Sequence, residues 1–142
     1  MARRTRAREV ALQALYQLDL NPDGSLDQLG RFLAARLQEE ELREFAKSLV
    51  LGVRRNQAEL DASLQQTAAN WSLRRMAATD RNLLRLAAFE MRYGETPGRV
   101  AIDEAVELAK RFGTAQSPAF VNGILDKFLD KEPNTPPATP SG

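Results

Sequence analysis

Ala101-Ile102-Asp103-Glu104-Ala105-Val106-Glu107-Leu108-Ala109-Lys110-Arg111-Phe112-Gly113 puts Ala101, Ile102, Ala105, Leu108, Ala109 and Phe112 at intervals of three and four residues. That spacing is one face of an α-helix. Gly113 closes the run. A few residues on, Ser117 as N-cap and Pro118 at the first helical position open another helix, with Val121, Ile124, Leu125 and Phe128 turned inward. On the polar side, Asp103 and Glu107 share a face, and Glu107 is followed by Lys110 and Arg111. Charges of alternating sign at these steps describe a solvated helix surface laced with ion pairs rather than a catalytic carboxylate pair.

The same period runs upstream. Val10, Ala11, Ala14, Leu15 and Leu18 mark a first helix that stops at Asn21-Pro22-Asp23-Gly24. Ser25 with Gln28 reads as a capping box opening a second, with Leu26, Leu29, Leu33 and Leu37 inward. Leu42, Phe45, Ala46, Leu49 and Val53 define a third. Asn56 with Glu59 caps a fourth, which carries Leu60, Leu64 and Ala68. A polar loop, Asn70-Trp71-Ser72, precedes a fifth helix from about Thr79, with Leu83, Leu84, Ala87 and Met91 inward and Gly94, Pro97 and Gly98 as its stop. The chain has 21 alanines and 20 leucines against six valines and two isoleucines, so propensity supports the same assignment. The expected fold is all-α: six or seven amphipathic helices in one compact bundle over residues 1–131. Four prolines crowd 133–140, so residues 132–142 are expected to form a disordered Pro-rich tail.

Composition excludes much chemistry. The 142 residues include no cysteine and no histidine, which removes disulfides, zinc sites built on those ligands, and any histidine base or Cys–His nucleophile. No Gly-rich phosphate loop is present. The expectation is therefore a non-enzyme with no cofactor and no metal. No apolar run reaches membrane-spanning length and no apolar stretch backs the leading arginines, so a cytoplasmic location away from membranes is expected.

Net charge is only +1, but it is unevenly spread. Arg3, Arg4, Arg6 and Arg8 precede the first acid, Glu9, and six arginines lie between 70 and 100. The macrodipole disfavours cations at a helix start, so helix stability does not explain the leader; a phosphate backbone would, and so would a frayed, solvated terminus. Leu12, Tyr16 and Leu20 form a second apolar side of the first helix, either sandwiched between layers or free as a contact surface. Tyr16 beside basic residues also suits stacking on an unpaired base. At the junction between the last two helices, Phe112 reads as core and Phe120, at the edge of its stripe, as the better stacking candidate. The amides of Ala119 and Phe120 would face a phosphate there.

Four blocks carry a family resemblance. Arg8-Glu9-Val10-Ala11-Leu12-Gln13-Ala14-Leu15-Tyr16, Asp80-Arg81-Asn82-Leu83-Leu84-Arg85 with Phe89-Glu90, Val100 through Gly113, and Ser117 with Phe120-Val121-Asn122-Gly123-Ile124-Leu125-Asp126 occur in order. Together they resemble the NusB family of bacterial transcription antitermination factors over roughly residues 3–131. The resemblance implies two small helical subdomains. It also implies binding to boxA RNA of ribosomal transcripts with the ribosomal protein NusE, and action with other Nus factors on RNA polymerase. By resemblance, RNA contacts fall on Arg3, Arg4, Arg6, Arg8, Tyr16, Phe112, Gln116, Ser117 and Phe120, and the NusE-facing surface includes Asp80. Two other readings fit such a domain: a homodimeric protein scaffold, and a stand-alone recognition module for ribosomal RNA modification.

Overall fold

The computed structural model describes residues 2–132, with side chains from Arg4 onward. Among these residues there are seven α-helices and no strand: α1 (Ala2–Leu20), α2 (Leu26–Arg36), α3 (Glu40–Arg55), α4 (Gln57–Thr67), α5 (Ala78–Tyr93), α6 (Gly98–Phe112) and α7 (Ser117–Lys131). A single 3-10 turn, Leu73–Arg75, lies in the stretch that the sequence leaves as loop. The chain divides after Arg55 into two units.

In the first unit α1, α2 and α3 pack on one another. Val10, Ala11, Ala14 and Leu15 are buried from α1, Leu29 and Leu33 from α2, and Ala46, Leu49 and Val53 from α3. The Ser25 capping box forms as read: Ser25 Oγ accepts from the Gln28 amide at 3.1 Å, and Gln28 Oε1 accepts from the Ser25 amide at 3.0 Å. Leu26 is a correction. Expected inward, it is exposed, because the box starts the helix at Leu26 and the buried stripe begins at Leu29.

In the second unit α5 packs against α4, α6 and α7. Its residues from Asn82 to Ala88 are buried without a break, as expected of a helix covered on most sides. That burial takes in Arg85, which makes a bidentate pair with Asp61 of α4, Nε to Oδ1 at 2.8 Å and Nη2 to Oδ2 at 2.9 Å. Arg92 likewise donates to both carboxylate oxygens of Glu132, at 2.9 and 2.7 Å. Composition places Glu132 in the tail; in the structure it closes α7 instead, and the fold extends at least that far. Residues 133–142, on which the tail expectation rests, lie outside the described residues.

Asn56 stands at the start of α4 as expected but makes no side-chain cap. Gly98 lets α6 begin hard against Leu129 of α7, where a Cβ would collide with the Leu129 side chain.

Candidate nucleic-acid interface

The basic leader lies along the first turns of α1. Arg4 is exposed, with its guanidinium carbon 4.2 Å from the centroid of the Phe45 ring on α3. Arg8 lies 5.2 Å from the same ring and is only 4% exposed. The Arg8 side chain, expected to meet a phosphate, is thus covered by the fold. A guanidinium sheds water readily and stacks on an aromatic face, so the Phe45 ring is compatible with this burial. Arg6 is exposed and pairs with Glu9 at 2.9 Å. The Arg3 side chain lies outside the described residues. Further along α1, Leu12 is buried while Tyr16, 42% exposed, and Leu20 face solvent. The second apolar side is thus partly core and partly open surface.

The junction before α7 belongs to the second unit. The Thr114 amide donates to Ser117 Oγ at 2.9 Å, and the Ser117 amide donates back to the Thr114 carbonyl at 3.0 Å. Gly113 makes this possible, since a Cβ there would come within 2.5 Å of Ser117 Cβ. Ser117 is therefore 1% exposed, with its hydroxyl turned back into the loop. The N-cap expected of it is corrected: Ser117 shapes the turn, and Gln116 stands at the N-cap position. Of the two amides expected to face a phosphate at the helix start, that of Phe120 already donates to the Gln116 carbonyl at 3.1 Å. Phe112, read as core, is 38% exposed, with Arg111 4.9 Å above its ring. It is the last residue of α6, one turn past the last fully covered stripe position, Ala109.

Phe120 is half-buried and meets Trp71 edge to face, with centroids 5.2 Å apart and planes at 85°. Trp71, in the polar loop before α5, is 57% exposed. The only available signal was an aromatic ring set between polar residues. Gln65 pins this loop, donating to the Trp71 carbonyl at 2.6 Å and accepting from the Leu73 amide at 2.8 Å. Arg81 holds the following turn through the carbonyls of Arg74, at 3.3 Å, and Met76, at 3.1 Å. Between loop and junction lies a groove of about 520 Å³, whose lining includes Trp71, Arg75, Asp80, Gln116 and Phe120. Asp80, expected on a protein-facing surface, thus shares a groove with residues expected to meet RNA. Its Oδ1 is buried and accepts no hydrogen bond, a deficit of roughly 1–3 kcal/mol for such a group.

Of the arginines between 70 and 100, Arg81, Arg85, Arg92 and Arg99 are tied to carbonyls or carboxylates, Arg99 to Asp126 at 2.7 Å. The exposed basic patch is smaller than the sequence suggests. Among the described residues there is no cluster of potential metal ligands, and no helix is long and apolar enough to cross a membrane.

Seven helices in two units, carrying exposed arginines and aromatic rings, define a small all-helical binding domain. The NusB family model matches residues 5–130. The transcription antitermination protein NusB of Anaeromyxobacter dehalogenans is 47% identical over 133 residues, covering 93% of this chain and 94% of that protein. NusB of T. maritima superposes with a TM-score of 0.81 at 35% identity, over 91% of this chain and 92% of that one. A crystal structure of antitermination factors NusB and NusE in complex with double-stranded RNA matches with a TM-score of 0.81 at 27% identity, over 92% of this chain and 98% of that one. The chain belongs to the NusB family of transcription antitermination factors.

Proposed function

We propose that this protein acts without catalysis, binding boxA RNA of ribosomal transcripts together with NusE in the cytoplasm. The assembly then joins other Nus factors on elongating RNA polymerase. The observation that carries this reading is the likeness to the NusB chain of a NusB–NusE–RNA complex. The exposed Arg4, Arg6 and Tyr16 in one unit, and the Trp71–Phe120 groove in the other, support it. Arginines hold phosphates, and exposed rings stack on unpaired bases for roughly 1–3 kcal/mol each. Phe112 offers a further exposed ring, and Gln116 an amide at the groove. Arg3 belongs to the same leader by position.

The test is fluorescence anisotropy of labelled boxA RNA with the wild type and a Tyr16→Asp, Phe120→Asp double variant, with and without NusE. The wild type should bind, more tightly with NusE, and the variant should lose binding while keeping its helical circular dichroism. Undiminished binding by a folded double variant refutes the RNA contacts. Equal wild-type affinity with and without NusE refutes the cooperative part.

A further inference from the structure

We propose that the groove between the Trp71 loop and the α6–α7 junction is a base pocket that takes one unpaired guanine, read by Asp80. The proposal rests on the RNA-binding reading and specifies what one of its sites recognises. Three observations converge on it. Trp71 and Phe120 give the groove an aromatic wall, and the more exposed indole offers a face on which a base can stack. Asp80, in the first turn of α5, brings a carboxylate whose Oδ1 is buried without a hydrogen bond. Arg75, exposed on the rim, supplies a cation for the flanking phosphate.

The dipole of α5 explains an acid in this turn, but not an oxygen left without a donor. The last torsion of an aspartate is broad and two-fold, so a modest turn brings the orphan oxygen to the groove. Only N–H or O–H donors satisfy it there. Guanine is the base whose Watson–Crick edge sets two N–H donors side by side, the ring N1–H and the exocyclic amine. Uracil offers one N–H flanked by two carbonyls that a carboxylate repels. Adenine and cytosine each set one amine beside a ring lone pair. A cationic side chain from a protein would also satisfy Asp80, but it would enter beside Arg75 and leave the aromatic wall without a flat partner. The groove is held open before any ligand arrives, since Gln65 and Arg81 fix the Trp71 side through backbone carbonyls.

The experiment uses the full chain and single-stranded boxA RNA in which each guanosine in turn is replaced by inosine, which lacks only the exocyclic amine. In the wild type one such replacement should weaken binding about tenfold, within the range of a good base contact. In Asp80→Ala, and in the near-isosteric Asp80→Asn should alanine disturb the helix, that penalty should vanish. Trp71→Ala should weaken binding of every RNA alike. If no inosine position matters to the wild type, or the penalty persists unchanged in both Asp80 variants, the guanine pocket is overturned while RNA binding stands. If the Asp80 variants bind RNA normally but lose NusE, the groove is a protein site and the proposal is likewise overturned. A wild type that binds none of these RNAs overturns this proposal together with the reading beneath it.

Discussion

Arg4 and Arg8 lie over the same ring and yet have opposite fates. Arg4 stays in solvent and Arg8 is sealed against Phe45. A desolvated cation–π contact contributes about 2 kcal/mol, an exposed one about half that or less. Arg8→Ala should therefore cost about 2 kcal/mol of stability, seen as a lower urea midpoint at unchanged m-value. Arg4→Ala should leave stability nearly intact and instead flatten the salt dependence of RNA binding, by about 0.7 in the log–log slope. The reverse pattern would mean that the leader's roles are misassigned. Helical spacing alone does not separate the two arginines, because both stand on the same side of α1 at four-residue spacing. What separates them is how far the rest of the fold covers each side chain, since both reach the ring of Phe45, 37 positions beyond Arg8.

At the scale of elements, the α6–α7 junction depends on a glycine and a serine locked together. Gly113→Ala would drive its Cβ into Ser117 and against the Ala109 carbonyl at 2.9 Å, so the turn must open. A cost of about 1–3 kcal/mol is expected, with a fall in RNA affinity as Phe112 and Phe120 shift; a thermal melt and a binding isotherm check both. The Arg85–Asp61 pair joins α4 to α5 under different rules. Asp61→Ala leaves a buried guanidinium without its main carboxylate partner, and should cost about 2–3 kcal/mol. That is below the roughly 3–5 kcal/mol of a fully buried pair, since Asp61 keeps 29% side-chain exposure. Replacing both residues, Arg85→Met with Asp61→Leu, should recover most of the loss in chemical denaturation. A double variant no better than the single one would show that the pair matters through its wider hydrogen bonds, such as Arg85 to Asn82 at 3.3 Å. Most of these elements were legible in the chain. The capping box, the helix stops and the stripes come from interactions three or four residues apart, which a sequence displays directly. The stripe places Phe112 in the core and the structure does not, because a periodic stripe does not say where its covering ends.

For the molecule as a whole, net charge is near zero, so affinity for RNA should come from a few placed groups rather than from a general field. With Arg4, Arg6 and Arg75 exposed, the slope of log affinity on log salt should be about −2, at roughly −0.7 per phosphate for a single strand. A slope near zero would exclude phosphate contacts as a source of affinity. Tyr16 and Phe120 belong to different units, so their single substitutions should lower RNA binding free energy additively, within about 0.5 kcal/mol. Titration of the two single variants and the double variant tests this. A larger departure would mean that the two units respond to RNA as one coupled element.

From the sequence alone followed the all-helical class, the helix starts and stops, the family, and the two regions in which exposed rings and arginines were to be sought. These rest on local periodicity and on residue types absent from the chain, and both are complete in one dimension. Only the tertiary structure decided that Arg8 and Ser117 turn inward, that Phe112 turns outward, and that Glu132 closes the fold on Arg92. It alone brought Trp71 and Asp80 into one groove with Phe120. Long polar side chains and loop aromatics take their surroundings from helices distant in sequence, and no spacing rule records which of those will come within reach.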